Sequence, residues 1–264
     1  MPDLWTHYFF SKDVQKDNQL DIAWDALYSL GAQGPDFLFY LDFQPWKKKS
    51  AFRFGNLVHQ EKPKELMSYV LKRLEEADDV LKDYLLGFVG HYALDSTAHP
   101  FVFYYAKDSI QHKLLEASID ALLFEERRAR PLRGEDSLAI IDVGKRLPEE
   151  VVEFYRDMAR DIYQEVLPAH VIQSAYKDFR EFLILTRAKG FVRQSFQNLV
   201  EKLSSAPVYH YIYPERVDPK VLSRSMYIDF MKAYDKGREK FTRLLKTGPE
   251  CAMRNFEGDF HADL

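Results

Sequence analysis

Apolar residues recur every three or four positions along most of the chain, which is the spacing of an amphipathic helix. The longest pattern predicts helix over residues 62–98, with a break near 76–79, where acidic and small residues interrupt the apolar stripe. The same spacing predicts helices at 17–30, 109–128, 148–167, 171–188, 190–203 and 219–245. Only the short apolar run 37–41 is ambiguous between a strand and a buried helical turn. We therefore predict an all-α protein with short connections.

The sequence marks the ends of some of these helices more clearly than the ends of others. Pro100 disfavours helical geometry at His99, so we expect the long helix to end there. Residues 1–16 form a short stretch rich in aromatic side chains. The tail after Gly248 is polar and is expected to fray. The segment 127–136 reads as a connection that is too short to link independent domains. We expect one domain, 1–264, folded as a multi-helix bundle.

Composition excludes several classes of protein. The 37 basic and 41 acidic residues give a net charge of −4, which predicts no stable binding of nucleic acid. The single cysteine, Cys251, allows no internal disulfide. No run of about 18 apolar residues is present, so no transmembrane segment is expected. The first residues lack the features of a secretory signal, and we expect a cytoplasmic protein.

Candidate chemistry is concentrated in the stretch GHYALDSTAHP, residues 90–100. It places His91, Asp95 and His99 four residues apart, so the three side chains leave one face of a helix. His112 and Glu116 repeat this spacing. Such pairs can be ordinary intrahelical salt bridges, worth a few tenths of a kcal/mol. Two pairs on partly apolar helices, with Asp36 and His59 expected in loops upstream, favour a metal site instead.

A cluster of histidine and carboxylate ligands without cysteine is typical of open, catalytic coordination. Clustered divalent ions suit phosphodiester hydrolysis, because they generate a metal-bound hydroxide near neutral pH and neutralise the phosphoryl oxygens. Asp36 is the candidate to orient the attacking water or take its proton while also binding metal. A non-catalytic, zinc-stabilised helical protein is the alternative from a different class.

The order of His7, Asp36 in GPD, His59 in GNLVH, then HYALDSTAHP and HKLLE resembles the bacterial zinc-dependent phospholipases C. The fungal single-strand nucleases are similar in fold and site. The resemblance covers residues 5–120, so we expect residues 1–128 to carry the metal site and 129–264 to complete the bundle. In that family a tryptophan that begins the mature chain also binds metal through its amine and carbonyl. Here Trp5 is preceded by four residues.

The resemblance implies two to three zinc ions and assigns their ligands. Asp36, His59 and His91 would hold one ion, and Asp95 would bridge it to a second ion near His7. A third ion would be held by His99, His112 and Glu116.

The expected reaction is cleavage of a phospholipid head group or a related phosphodiester, and the alternative is a single-strand nuclease or nucleotidase of the same fold. Phe37 is the candidate for contact with the substrate. The aromatic runs 101–105 and 208–213 could touch a lipid interface or simply pack in the core and in a loop.

Overall fold

The structure is a computed structural model that describes residues 4–43, 52–187, 213–214, 216–250 and 252–259. Within these ranges it contains nine α-helices and one 3-10 helix, and no strand. They are α1 (Leu4–Asp17), α2 (Asp25–Gly31), the 3-10 helix (Gly34–Tyr40), α3 (Phe52–Gln60), α4 (Pro63–Glu76), α5 (Asp79–Tyr105), α6 (Ser109–Arg128), α7 (Glu149–Tyr163), α8 (Ala169–Arg187) and α9 (Arg224–Thr247). The all-α prediction is confirmed. The helix predicted at 190–203 and most of the run 208–213 lie outside the described residues.

Helix α5 runs through the middle of the bundle. Most of its side chains from Leu81 to Val102 are buried, because α1, α2, α4 and α9 all pack against it. A helix that is apolar on all sides is a core helix. It begins where the break was predicted, and the Asp78 carboxylate caps it by accepting the Leu81 N–H at 3.0 Å. The core around α5 fixes the side chains of the 90–100 stretch in place.

The prediction that this helix ends at His99 is wrong. Helix α5 continues through Pro100 to Tyr105. A proline inside a helix costs about 3 kcal/mol. Beyond it, Val102 is fully buried, and the ring of Phe101 packs on Phe230 of α9 with centroids 5.7 Å apart. Burying such side chains contributes about 1.5–3 kcal/mol each, which offsets the lost hydrogen bond.

The first quarter of the chain also differs from the prediction. Residues 4–17 form α1, which buries Trp5, Phe9, Phe10 and Val14. The helix predicted at 17–30 is shorter than expected, since α2 begins only at residue 25. Gln19 lies in the left-handed region at φ 51°, which interrupts the helical path between the two. The ambiguous run 37–41 lies almost entirely in the 3-10 helix.

Residues 252–259, which follow α9, do not fray as expected. Met253 and Phe256 are buried within residues 252–259. This stretch, called the capping segment below, folds back over the end of α3 and over the part of α5 around His99. Among the described residues, no helix is long and apolar enough to cross a bilayer.

Candidate metal centre

Three groups of potential metal ligands lie side by side in the core. The first group is Asp36, His59 and His91; the second is His7, His91 and Asp95; the third is His99, His112 and Glu116. In each group, one nitrogen or oxygen atom from every member lies within 4.8 Å of the others. The structure thus brings together all eight side chains that the sequence singled out as ligands.

The first group joins three elements. His59 Nε2 lies 3.0 Å from Asp36 Oδ1, and His91 Nε2 lies 3.5 Å from the same oxygen. His59 was expected in a loop, but it lies in the last turn of α3. Asp36 was also expected in a loop, but it lies in the 3-10 helix. The chain passes close to His91 at Gly34, whose φ of +52° and lack of a side chain permit the approach.

In the second group, the two oxygens of Asp95 face different histidines. Oδ1 lies 3.2 Å from His7 Nε2, and Oδ2 lies 3.3 Å from His91 Nε2. The rings of His7 and His91 stack with centroids 4.4 Å apart. The carboxylate therefore has the position needed to contact two ions at once.

The third group spans α5 and α6. His112 Nε2 lies 2.8 Å from Glu116 Oε1, and His99 Nε2 lies 4.0 Å from that oxygen. Lys113 Nζ pairs with the other oxygen, Oε2, at 3.0 Å. Sequence reasoning passed over Lys113, although its position three residues before Glu116 on a helix was the available signal.

Backbone carbonyls orient three of the imidazoles. His59 Nδ1 donates to Gly55 O at 2.7 Å, and His91 Nδ1 donates to Ala32 O at 3.1 Å. His99 Nδ1 donates to Phe256 O at 2.5 Å. A carbonyl can only accept, so each ring carries a proton on Nδ1, and a ring that is neutral then presents the Nε2 lone pair to the cluster.

Burial sets the protonation of the central side chains. It lowers the pKa of His91 to about 4 and holds the pKa of His99 well below its ordinary value of 6.5. Both rings are therefore neutral near pH 7, as metal ligands must be. Burial also raises the pKa of Asp95 to about 6.

The pKa values of the outer carboxylates are lowered instead, because interactions with neighbouring side chains outweigh burial. Burial acts to raise the pKa of Asp36, but the imidazoles of His91 and His59 lower it overall. For Glu116, burial again acts upward, and the ammonium of Lys113 holds the pKa well below its ordinary value. Both side chains are thus carboxylates near pH 7 and can serve as anionic ligands.

Zinc fits these residues. His91 Nε2 and both oxygens of Asp95 are buried, and none of the three has a hydrogen-bond partner within the described ranges. Each such atom costs roughly 1–3 kcal/mol if no ligand completes it. Imidazole nitrogen and carboxylate oxygen are ligands that zinc accepts. A bound cation would therefore satisfy atoms that the surrounding protein leaves unsatisfied.

Two aromatic residues that the resemblance drew attention to are held by contacts within the fold. The backbone N–H of Trp5 donates to Asp120 Oδ2 at 2.9 Å, and its indole N–H donates to Ser137 at 3.0 Å. Both nitrogens of Trp5 thus donate hydrogen bonds within the fold. Phe37 was expected to contact the substrate, but it is fully buried with its ring edge-on to Tyr155, so it has no exposed surface to offer.

An all-α bundle that brings together three adjoining groups of histidine and carboxylate ligands has the features of a metal-binding protein. More particularly, the chain belongs to the zinc dependent phospholipase C family, whose model matches residues 6–166. This confirms the resemblance found in the sequence. The match includes all eight ligand candidates and stops well before the capping segment. No match was found among curated proteins or among solved structures.

Proposed function

We propose that this protein is a zinc-dependent phosphodiesterase of phospholipase C type. The observation that carries the proposal is the buried cluster of three ligand groups, with unsatisfied atoms on His91 and Asp95, in a member of a zinc-dependent phospholipase family. Two to three zinc ions are expected. When bound, zinc supplies Lewis acidity that lowers the pKa of a coordinated water and polarises phosphoryl oxygens.

Each ligand group has its own proposed role. Asp36, His59 and His91 would hold one ion, and Asp95 would bridge it to an ion beside His7. His99, His112 and Glu116 would hold a further ion. The distances of 3.2 and 3.3 Å from the two Asp95 oxygens to different histidines support the bridging role.

Asp36 also acts as the group that orients the attacking water and accepts its proton. Its lowered pKa keeps it ionised, so it can receive a hydrogen bond near pH 7. Lys113 lies at the partly exposed edge of the third group. A lysine in this position can donate to a phosphoryl oxygen and favour an anionic substrate.

The surface beside the third group supports a lipid substrate. Phe103, Tyr104, Tyr105 and Ile110 expose between 36% and 69% of their surface. The Phe103 ring stacks on His99 with centroids 5.4 Å apart, so this apolar surface adjoins the metal centre. Lys107 Nζ lies 5.5 Å from the centroid of the Tyr104 ring. Tyrosine and lysine beside apolar rings suit a membrane interface.

Metal analysis tests the core of the proposal. The purified protein should contain two to three zinc ions per chain, and fewer than one would refute a metalloenzyme. Asp95→Asn should lose zinc and activity together. Asp178→Asn is the matched control. Asp178 is also buried, but it lies on α8 and accepts a hydrogen bond from the Asp42 N–H at 2.8 Å. Hydrolysis retained by Asp95→Asn would show that the centre is misassigned.

Substrate assays then separate the alternatives. We expect hydrolysis of phosphatidylcholine vesicles and of bis-p-nitrophenyl phosphate, with little action on single-stranded DNA. Preferential cleavage of DNA would indicate the nuclease alternative, and a zinc-loaded protein inactive on all three would indicate a structural role. Tyr104→Ser should weaken vesicle binding, whereas Val166→Ser, at an exposed position on the loop after α7, should not.

A cytoplasmic location remains a prediction from the sequence. Cell fractionation with an antibody to the protein would check it, and recovery in the culture medium would contradict it.

A further inference from the structure

The capping segment, residues 252–259, closes one side of the metal centre. It is held by a compact turn in which Gly258 N–H donates to Asn255 O at 3.0 Å and Asp259 N–H donates to Asn255 Oδ1 at 2.9 Å. Gly258 has φ +82° and lies against the ring of Pro100. The turn is thus fitted to the part of α5 that follows His99.

The main chain of one residue in this segment contacts both helices that it covers. Phe256 N–H donates to His59 O at 3.1 Å, which satisfies a carbonyl at the end of α3 that has no partner inside the helix. Phe256 O accepts from His99 Nδ1 at 2.5 Å. A single residue therefore ties together histidines of the first and third ligand groups.

The side chain of Phe256 packs against histidines of the first ligand group. Its ring is fully buried, with centroids 4.9 Å from His59, 5.6 Å from His91 and 5.0 Å from Tyr92. An apolar ring at this position keeps water from the backbone side of the imidazoles.

Backbone carbonyls also orient the other two imidazoles, but from residues that lie fewer positions away, 4 for His59 and 59 for His91. The carbonyl for His59 comes from Gly55 in the same helix, and the carbonyl for His91 comes from Ala32, just before the 3-10 helix. The carbonyl for His99 comes from a residue 157 positions away. Residues 252–259 also lie outside the region that matches the family model.

We propose that the main chain of Phe256 is the positioning partner of His99, holding its ring in the Nδ1–H tautomer with Nε2 turned toward Glu116. The capping segment then completes the third ligand group. The consequence for zinc rests on the proposed function, whereas the tautomer of His99 does not.

Nuclear magnetic resonance of protein labelled with 15N-histidine tests the tautomer directly. In zinc-free protein we expect a protected Nδ1–H signal from His99, assigned by its loss in His99→Gln. A His99 ring protonated on Nε2, or one that exchanges freely between tautomers, would overturn the proposal whether or not the protein binds zinc.

A matched pair of glycine variants tests the consequence. A Cβ at residue 258 would lie 2.4 Å from Pro100 Cγ, so Gly258→Ala should displace the turn. Gly144→Ala also places alanine at positive φ (+104°) but meets nothing within 4 Å, and it serves as the control. We expect Gly258→Ala to lose the His99 signal and to weaken zinc binding at His99 by about 10–100-fold.

Zinc titrations monitored by the histidine ring signals distinguish a loss of His99 positioning from general damage to the fold. Binding at His91 should weaken less than binding at His99 in Gly258→Ala, because its orienting carbonyl belongs to Ala32, outside the capping segment. Equal weakening at His91 and His99, or a wild-type His99 signal in Gly258→Ala, would overturn the proposal. Circular dichroism checks that both variants keep the wild-type helix content.

Discussion

Asp120 provides a direct test of how α1, and with it His7, is held in place. Its carboxylate is fully buried on α6 and accepts three hydrogen bonds from the start of α1. The donors are Trp5 N–H at 2.9 Å, Thr6 N–H at 2.8 Å and the Thr6 hydroxyl at 2.5 Å. The first N–H groups of a helix have no partner within it, so Asp120 acts as a cap supplied by another helix.

Asp120→Ala removes this acceptor and leaves the three donors buried. Each buried donor without a partner costs about 1–3 kcal/mol. The end of α1 can relax to satisfy some of them, so we expect a loss of about 3–5 kcal/mol in the free energy of unfolding, the range seen when one partner of a buried charged contact is removed.

Urea unfolding followed by far-ultraviolet circular dichroism measures this loss. Thr6→Val removes only the hydroxyl donor and should cost about 1 kcal/mol. An Asp120→Ala variant no less stable than Thr6→Val would refute the idea that the carboxylate anchors α1. Where Asp120→Ala stays folded, zinc binding at His7 should also weaken.

Two further predictions follow from single contacts. A Cβ at Gly34 would lie 2.2 Å from His91 Cδ2, whereas ordinary contact begins at 3.4 Å. Gly34→Ala should therefore move the His91 ring by more than the roughly 0.2 Å that a zinc site tolerates. Wild-type zinc affinity of this variant in a competition with a chelator would contradict the prediction. Burial lowers the pKa of Lys240 from 10.5 to about 8, where Nζ donates to Ser96 at 2.7 Å. Between pH 8 and pH 10.5 the unfolded chain therefore binds more protons than the folded chain. Lys240 thus makes the free energy of unfolding rise with pH over this range, by up to about 1.4 kcal/mol per pH unit. Lys240→Met should flatten that rise in urea unfolding at pH 8 to 10, and an unchanged slope would exclude Lys240 as its source.

The helical spacing of the ligands made much of the centre predictable. Four residues are slightly more than one helical turn, so the joint position of His91, Asp95 and His99 could be inferred without a structure. The same holds for His112 and Glu116. The grouping of ligands between helices was implied by resemblance, because spacing within one helix says nothing about which helix faces it.

Long-range contacts account for what the sequence did not reveal. Asp120 and Phe256 were missed because their partners lie more than a hundred residues away, and neither belongs to a recognisable spacing. Local rules also misplaced the end of α5, since the residue before a proline usually leaves the helix. Burial of Val102 beyond Pro100 outweighs that preference, and burial is a property of the whole fold.

The position of Phe256 also has a consequence for the order of events during synthesis. The ligands from His7 to Glu116 emerge early, yet the carbonyl that orients His99 belongs to a residue made 157 positions later. Contacts of such separation form late in folding. A nascent chain that has reached only α6 therefore carries all eight ligand side chains without the support that fixes the third group. Loading of that group with metal is expected to follow translation of residue 256 rather than accompany growth of the chain.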